Sequence, residues 1–232
     1  MRAIVVRHYK TLFNSAGRIM GWQDAPRVKD WHADVAFVEA RLREREVSID
    51  AIYCSDLERA RQTAMHYGRS LAIPVIHDSW ALNEVDYGAL SSKSKRWVQQ
   101  HVPEHKRDPD YVYPDGESFR QMQERSTGLI RSLTDHMDGK TILVVVHAGV
   151  IRGLVSYFLE LDYARQLKRR VSHRYIGVFQ FENSHCCGYD EWGKPSGFVR
   201  EPDGLQLPWR RATTSPRSAI VPQRSTGQIP ER

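Results

Sequence analysis

Short aliphatic runs separated by helical patterns restrict this chain to an α/β architecture. The clearest run is Thr141–Val146, and Ala3–Val6 and Ile49–Cys54 are of the same kind. Runs without polar alternation are typical of strands that are buried on both faces, as in parallel sheets. The alternation of strands with helices predicts a three-layer α/β/α sandwich with a mostly parallel central sheet.

The segments between these runs carry helical patterns. Val35, Val38 and Leu42 recur at helical spacing. Asp56 opens a second helix, where the helix dipole favours a negative charge. Two weaker strands complete the expected sheet, and Pro74 places the first of them at an edge. The expected helices lie at 31–46, from 56 onward, at 94–101, at 115–137 and at 150–161, and the weaker strands lie at 73–76 and 178–181.

The composition changes from Pro202 onward. Five of the eleven prolines fall in 202–232, together with Ser, Thr and Arg and little apolar periodicity. Such a segment cannot bury enough apolar surface to offset the entropy lost on ordering. We therefore expect one folded domain over 1–201 and a flexible extension over 202–232. Residues 183–201, which are rich in glycine, show no clear pattern.

Charge and hydropathy limit the classes of partner. Most of the net charge of +6 lies between Trp209 and Arg232, where five arginines face one glutamate, so the rest of the chain carries only +2. A body so nearly balanced lacks the broad basic face of a nucleic-acid-binding protein. No apolar run approaches the roughly 20 residues of a membrane span. The opening MRAIVVRH is too short and too charged for a signal peptide. We expect a cytoplasmic protein that binds neither nucleic acid nor membrane.

The cysteines indicate neither a disulfide framework nor a metal site. Cys54 stands alone, Cys186 and Cys187 are adjacent, and the sequence contains no CxxC pair. His185 beside the adjacent pair has no further ligand at a zinc-binding spacing. We expect no metal and no cofactor.

Residues suited to one chemistry follow three predicted strands. Arg7 and His8 follow the first strand, Arg59 lies one turn into the helix after the second, and His147 follows the run that ends at Val146. In an open parallel sheet, ligands bind beyond the carboxyl ends of the strands. If the three strands are neighbours, these side chains converge on one site.

That site is suited to phosphoryl transfer without a metal. The guanidinium groups of Arg7 and Arg59 match phosphate oxygens, and their charge opposes a cation between the histidines. A neutral histidine can attack phosphorus when its other ring nitrogen donates to a carbonyl group. Transfer also needs an acid for the leaving oxygen, and a carboxylic acid beside a bound dianion keeps its proton more readily. Glu84, just before a glycine-containing loop at 85–92, is the candidate.

In these residues the sequence resembles the histidine phosphatase superfamily, which contains cofactor-dependent phosphoglycerate mutases and many small phosphatases. The resemblance covers residues 1–182 and implies a phosphoglycerate mutase-like fold. The matching segments are Arg7-His8-Tyr9-Lys10-Thr11-Leu12-Phe13-Asn14, Gly21-Trp22-Gln23-Asp24, Ser55 to Ala64, Leu82-Asn83-Glu84 with Tyr87 to Leu90, Asp115 to Ser118, and His147 to Arg152.

The resemblance implies a role for each matched position. His8 would form a phosphohistidine, and Arg7, Arg59 and His147 would hold the phosphoryl group. Glu84 would donate a proton to the leaving oxygen and later help to activate water. The other residues expected to contact a substrate are Asn14, Gly21, Lys95 and Ala148.

Two positions depart from the family pattern. Tyr9 replaces the glycine that usually follows the nucleophile, and Ala148 replaces a glycine after His147. Glycine permits a positive φ or a close approach of the backbone to phosphate. The ring of Tyr9 therefore narrows the entrance, moves the loop or points away.

Three functions remain open on the sequence alone. A phosphatase acting on a small phosphorylated substrate is preferred, because the segment from Lys95 to Asp115 is short and lacks the paired arginines of the mutases. A mutase needs cations that retain its intermediate, for which Arg18, Lys93 and Lys95 are candidates. A binding module without turnover is the third possible function, and the replacement of the usual glycine by Tyr9 favours it. The sequence predicts neither the substrate's identity nor the oligomeric state.

Overall fold

The computed structural model describes residues 1–193 of the chain. Its centre is a six-stranded sheet flanked by helices. The strands are β1 (Arg2–Arg7), β2 (Ala51–Cys54), β3 (Ile76–Asp78), β4 (Thr141–Val146), β5 (Ile176–Glu182) and β6 (His185–Glu191). The helices are α1 (Leu12–Ser15), α2 (His32–Glu44), α3 (Glu58–Ser70), α4 (Lys95–His101), α5 (Phe119–His136), α6 (Ala148–Phe158) and α7 (Tyr163–Leu167).

The sheet is parallel over four strands and antiparallel at one end. The strand order is β3-β2-β4-β1-β5-β6. The β3–β2, β2–β4 and β4–β1 pairs are parallel. In contrast, β5 runs antiparallel to β1, and β6 runs antiparallel to β5. The predicted mostly parallel sheet is confirmed, and the strands that end at Arg7, Cys54 and Val146 are neighbours.

The central strands contribute side chains to two hydrophobic cores, one on each face of the sheet. In β1, Ala3 and Val5 pack with residues of α5 and α6, whereas Ile4 and Val6 pack with residues of α2 and α3. A strand that is buried on both faces has no polar alternation, which explains its continuous apolar sequence. The helices therefore form the two outer layers of the predicted α/β/α sandwich.

Side-chain caps fix the start of several helices. Thr11 and Ser118 each form a capping box, in which the hydroxyl oxygen accepts from the backbone N–H three residues later. The side chains of Asn14 and Gln121 accept in return from the N–H of the cap residue. Helix α6 differs, because its N-cap residue His147 makes no side-chain capping bond. The ring of His147 is therefore not committed to holding the helix.

Two strands differ from the sequence prediction. β3 starts at Ile76, whereas the sequence pattern places the strand at 73–76. Ile73 instead packs into a core after the end of α3, ahead of Pro74. β6 is not predicted, because its seven residues are mostly polar or small and lie at the edge of the sheet without clear alternation.

The five predicted helices are present with shifted boundaries, whereas the short helices α1 and α7 were not predicted. α5 begins at Phe119 rather than at 115, and Asp115 has a positive φ of 57° that an α-helix does not allow. α6 begins at Ala148, two residues earlier than predicted, because His147 serves as its N-cap. α3 begins at Glu58 rather than at 56.

The described part of the chain ends at Gly193. The expected extension 202–232 and the boundary at residue 201 lie outside it and stay predictions. Within residues 1–193, no helix has the length and apolar character needed to cross a membrane.

Candidate active site

His8 follows the last residue of β1 and lines a cavity. Its side chain is buried, and its Nδ1–H donates to the carbonyl oxygen of Tyr9 at 2.6 Å. A carbonyl only accepts, so the ring proton is assigned to Nδ1 and the lone pair to Nε2. Burial, together with the charges of His147 and Arg59, holds the pKa of His8 well below its usual value. The imidazole is therefore neutral near pH 7, as nucleophilic attack requires.

His147 follows β4, and the pairing of β1 with β4 brings it next to His8. The register places Arg7 opposite Val146, so the residues that follow both strands emerge together. The ring centroids of His8 and His147 lie 5.0 Å apart. The His147 ring is fully buried, and burial together with the charges of Arg59 and Arg7 holds its pKa well below its usual value.

Part of each guanidinium group is fixed by protein acceptors. Arg59 donates to the carbonyl oxygen of Gly21 at 2.7 Å and pairs with Asp24 at 2.9 Å. Arg7 donates to the carbonyl oxygen of Val171 at 2.6 Å. Burial lowers the pKa of Arg7 to about 9, with a further contribution from a neighbouring arginine, so the side chain remains protonated near pH 7. Burial also lowers the pKa of Arg59, and Asp24 opposes that effect.

Other polar atoms of the same side chains have no protein partner. Within residues 1–193, five buried side-chain nitrogen or oxygen atoms lack a hydrogen bond to the protein. Four of them are Nε of Arg7, Nε of Arg59 and both ring nitrogens of His147, and the fifth is Oε1 of Gln166. Because buried polar groups in proteins nearly always have a partner, this concentration at one place indicates a polar ligand.

The cavity beside these residues has a volume of about 820 Å³. That is enough for a whole small molecule and not only for one phosphoryl group. The predicted residues Asn14, Gly21, Lys95 and Ala148 all line it, whereas the buried ring of His147 does not. The charged lining residues are Arg7, Lys10, Arg18, Asp34, Arg59, Glu84, Lys95, Lys106, Arg152 and Arg170. Eight cationic side chains thus face two carboxylates, which favours an anionic ligand.

Glu84 reaches the cavity from the segment after the 3₁₀ turn at Trp80–Leu82. Its carboxylate accepts from the backbone N–H of Gly149 at 3.2 Å and from that of Val85 at 3.1 Å. The first of these bonds places the carboxylate at the N-terminus of α6, next to the histidine that caps this helix. A carboxyl group in this position can exchange a proton with a ligand oxygen in the cavity.

Arg125 on α5 holds the segment that carries Glu84. It donates to the carbonyl oxygens of Asn83 and Glu84 at 2.9 and 3.0 Å and pairs with Glu117 at 2.5 Å. Glu117 also accepts from the backbone N–H of Asp86 at 3.0 Å. These bonds fix the backbone on both sides of Glu84. Glu117 lies in a matched sequence segment, but no pattern in the sequence identifies Arg125 as its partner.

If Glu84 is a catalytic group, replacement of Gly149 by alanine should lower kcat by about tenfold or more, since a displaced catalytic group loses its alignment. An added Cβ would lie 2.0 Å from Oε1 of Glu84, so the carboxylate would have to move. Steady-state kinetics measures the effect. Gly128→Ala on α5 is the matched control, because a Cβ there meets nothing within 4 Å. Equal kcat in the two variants would contradict the position assigned to Glu84.

Tyr9 packs away from the cavity. Its hydroxyl donates to Gln62 at 3.0 Å, its backbone N–H donates to Thr63 at 3.1 Å, and its ring lies 5.5 Å from the ring of Trp31. Neither Tyr9 nor Ala148 has a positive φ, so neither position requires glycine. The aromatic ring therefore does not obstruct the site. The binding-module hypothesis loses the observation that favoured it.

Several lining residues are not predicted by the sequence. Lys106, Arg170 and His173 come from irregular segments, where no periodicity indicates which side chains face a ligand. His173 donates from Nδ1 to the carbonyl oxygen of His8 at 2.9 Å and so supports the strand end that carries His8. Arg152 lies in a segment that matches the family pattern. The only sequence feature that points to it as a lining residue is its position, four residues after the start of α6.

We expect the free energy of unfolding to fall as the pH drops below about 6.5, the usual pKa of histidine. Burial lowers the pKa of His8 and His147 well below that value, that of His105 to about 3 and that of His173 to about 2. The unfolded chain takes up protons on these imidazoles, whereas the folded chain does not. Each histidine therefore contributes a slope of about 1.4 kcal/mol per pH unit between its unfolded and folded pKa values. Urea unfolding at a series of pH values measures the total slope.

Two substitutions test the origin of that slope. His173→Gln removes one buried imidazole, while the glutamine amide can still donate to the carbonyl oxygen of His8. The slope of unfolding free energy against pH should therefore fall by about 1.4 kcal/mol per pH unit, which corresponds to one proton. Gln99→Ala, an exposed substitution on α4 that removes no titratable group, should leave the slope unchanged. The explanation is wrong if both variants keep the wild-type slope.

The described residues contain no group of three or more histidine, cysteine, aspartate or glutamate side chains that could hold a metal ion. The three cysteines are free. Cys54 is buried, and burial raises the pKa of its thiol to about 12. Cys186 and Cys187 lie on the edge strand β6 and do not line the cavity.

Comparisons with known proteins relate this site to a family. The family model described as histidine phosphatase superfamily (branch 1) matches residues 3–189. A protein of Brucella anthropi named 2,3-bisphosphoglycerate-dependent phosphoglycerate mutase is 30% identical over 179 residues, which cover 73% of this chain and 86% of that protein.

Solved structures of phosphatases have the same fold. The α-ribazole phosphatase from Shigella flexneri superposes with a TM-score of 0.68 at 25% identity, covering 80% of this chain and 93% of that one. A mycobacterial glucosyl-3-phosphoglycerate phosphatase in complex with VO3 has a TM-score of 0.68 at 22% identity, covering 77% and 92%. The family model matches more than half of this chain, and we therefore conclude that the chain belongs to branch 1 of the histidine phosphatase superfamily.

Proposed function

We propose that the chain is a phosphatase that hydrolyses phosphate monoesters through a phosphohistidine on His8. The observation that carries the proposal is the neutral His8 imidazole beside four unpartnered polar atoms on Arg7, Arg59 and His147. A phosphoryl group supplies acceptor oxygens for the unpartnered N–H groups, one on each arginine and one on the neutral His147 ring, and it supplies an electrophile for Nε2 of His8.

The first step transfers the phosphoryl group to the enzyme. Nε2 of His8 attacks phosphorus, and the bond from phosphorus to the ester oxygen breaks. Protonated Glu84 gives its proton to the leaving oxygen and becomes a carboxylate. The Tyr9 carbonyl, which accepts from Nδ1–H, stabilises the positive charge that the ring gains. Arg7 and Arg59 stabilise the charge on the phosphoryl oxygens.

The second step hydrolyses the phosphohistidine. A water molecule attacks phosphorus while the Glu84 carboxylate accepts one of its protons. The bond between Nε2 and phosphorus breaks, inorganic phosphate leaves, and His8 returns to its neutral form. Glu84 is again protonated, so protons balance over the cycle without a metal ion.

A mutase is the second candidate. It is supported by the name of the Brucella relative and by the surplus of cationic side chains in the cavity. Of the three cations that the sequence offers for retaining an intermediate, Arg18 and Lys95 line the cavity. Lys93 does not; its Nζ lies 5.3 Å from the ring centroid of Trp97. The two candidates share the first step and differ in whether water or a second hydroxyl group accepts the phosphoryl group.

The direct test is hydrolysis of p-nitrophenyl phosphate with a chelator present. We expect turnover that survives chelation and is inhibited by vanadate. In a second assay, 3-phosphoglycerate is the substrate, with and without 2,3-bisphosphoglycerate as a primer. Release of phosphate supports the phosphatase, whereas primer-dependent formation of 2-phosphoglycerate without phosphate release overturns it in favour of the mutase. Vanadate binding without turnover of any ester would show a binding module.

A further inference from the structure

A single loop between α1 and α2 contacts two parts of the proposed site. The backbone carbonyl oxygens of Gly21 and Gln23 accept hydrogen bonds from Arg59 at 2.7 and 2.8 Å. The residue between them, Trp22, reaches a different segment, because its Nε1–H donates to the carbonyl oxygen of Glu84 at 2.7 Å. The loop therefore joins an arginine assigned to the phosphoryl group to the residue proposed as the acid.

The loop is also held in place by contacts that do not involve the indole of Trp22. The side chain of Gln23 accepts from the hydroxyl of Ser92 at 2.5 Å. The carboxylate of Asp24 accepts from the backbone N–H of Glu58, the first residue of α3, at 3.1 Å. Loss of the indole N–H should therefore leave the path of the loop, and its bonds to the arginine, unchanged.

The carbonyl oxygen of Glu84 accepts from two side chains that come from different directions. Trp22 donates from the loop at 2.7 Å, and Arg125 donates from α5 at 3.0 Å. The carboxylate of the same residue accepts from the backbone N–H groups of Val85 and Gly149. Without the indole N–H, the segment loses its link to the loop and is held on the α5 side alone. A small shift of the carboxylate relative to the bound phosphoryl group is enough to slow proton transfer.

Trp22 contributes little to the packing of the protein. It is 41% exposed, and it belongs to neither of the two hydrophobic cores of residues 1–193. It does not line the cavity either, so it has no direct contact with a ligand there. Its hydrogen bond to Glu84 is thus the interaction through which this side chain can affect the site.

We propose that Trp22 is a positioning residue, which holds Glu84 in line with the phosphoryl group at Arg59 and so affects proton transfer but not phosphate binding. The inference rests on the proposed function, because it takes Glu84 as the proton donor and Arg59 as a ligand of the phosphoryl group. Its test therefore needs one measurement that depends on turnover and one that does not.

Trp22→Phe keeps an aromatic ring and removes the N–H group. We expect kcat on an alkyl phosphate to fall by about tenfold, because the acid loses its alignment. The dissociation constant of vanadate, measured by competitive inhibition, should stay unchanged, because the backbone carbonyls still hold Arg59. Trp97→Phe on α4 is the matched control, since Trp97 is 38% exposed and does not line the cavity. We expect it to keep the wild-type kcat.

A double-mutant cycle tests whether Trp22 acts through Glu84. In the Glu84→Gln background the proton donor is already lost, so Trp22→Phe should lower the rate of the first turnover by less than about twofold. A tenfold loss in both backgrounds would show an effect that is independent of Glu84 and would overturn the inference. A weaker binding of vanadate that accounts for the whole effect would overturn it as well.

Hydrogen exchange measures the position of the carboxylate without turnover. The backbone N–H groups of Val85 and Gly149 donate to its two oxygens, at 3.1 and 3.2 Å. By NMR, both amides should exchange about tenfold faster in Trp22→Phe, as expected for local opening, and at the wild-type rate in Trp97→Phe. The amide of Val144 in the central strand β4 is the internal reference for global stability, and its exchange should not change. Wild-type exchange at both reporter amides in Trp22→Phe would overturn the inference.

The outcomes separate the inference from the proposed function. Faster exchange at the two reporter amides in a chain that hydrolyses no ester supports the positioning of Glu84 by Trp22, while the proposed hydrolysis fails. In a chain that hydrolyses esters, an unchanged kcat in Trp22→Phe leaves the proposed function in place and removes the role of the indole.

Discussion

Replacement of His8 by alanine is expected to lower kcat for every phosphate monoester by about 10⁴-fold or more, the usual effect of removing a nucleophile. The Tyr9 carbonyl holds the neutral His8 ring through Nδ1–H, which leaves Nε2 free to attack beside the unpartnered atoms of Arg7, Arg59 and His147. Water would then have to attack the ester directly. Phosphate release under saturating substrate measures the loss.

The covalent intermediate gives a second measurement. Rapid quenching in alkali should trap a phosphohistidine, which is stable to base, in the wild-type chain and none in His8→Ala. His173→Gln is the matched control, because its ring lies 5.7 Å from that of His8 and the amide can still donate to the His8 carbonyl. We expect the control to keep its intermediate. Formation of phosphoenzyme in His8→Ala would assign the nucleophile to another residue.

The core of the site could be predicted from the sequence because three of its residues follow strand ends. A buried parallel strand is recognisable from its continuous apolar run, and its carboxyl end faces the ligand edge of the sheet. The prediction that His8 and His147 lie together therefore required only that β1 and β4 be neighbours, and the structure shows that they are. The prediction that Arg59 joins them also required that β2 pair with β4. The general properties of α/β sheets supplied these relationships.

The far side of the cavity could not be predicted in the same way. Lys106, Arg170 and His173 lie in turns whose path depends on tertiary packing, such as the bond between His105 and Tyr113. No periodicity distinguishes these lysines and arginines from the many that face solvent. Edge strand β6 was missed for a related reason, because an edge strand buries few side chains and so leaves little apolar pattern.

Tyr9 shows the limit of reasoning from a single substitution. A bulky residue after His8 suggests a blocked site when only the sequence is considered. The structure turns the ring into the core against Trp31 and leaves the carbonyl oxygen on His8 Nδ1. The backbone atom contributes to the site, and the side chain contributes to packing. The two functions of one residue are separable only when its χ angles are known.

Replacement of Glu84 by glutamine is expected to lower the rate of the first turnover on an alkyl phosphate by about 10²- to 10⁴-fold, the range for loss of a general acid. Gly149 and Val85 donate to different oxygens of the carboxylate, so the single amide oxygen of glutamine can keep one of these two bonds, and the fold should persist. What is lost is the proton for the leaving oxygen. An alkoxide leaves poorly without that proton, whereas p-nitrophenolate is stable enough to leave without it.

The same substitution should therefore change the time course with p-nitrophenyl phosphate. The first step needs no acid for this ester, but hydrolysis of the phosphohistidine still needs Glu84 to accept a proton from water. Stopped-flow absorbance should show a rapid burst of one p-nitrophenolate per active site, followed by slow steady-state turnover. Glu124→Gln, an exposed substitution on α5, should behave as the wild type. If Glu84→Gln slows the first turnover of alkyl and aryl esters equally, Glu84 does not protonate the leaving oxygen, and the proton must come from another cavity residue.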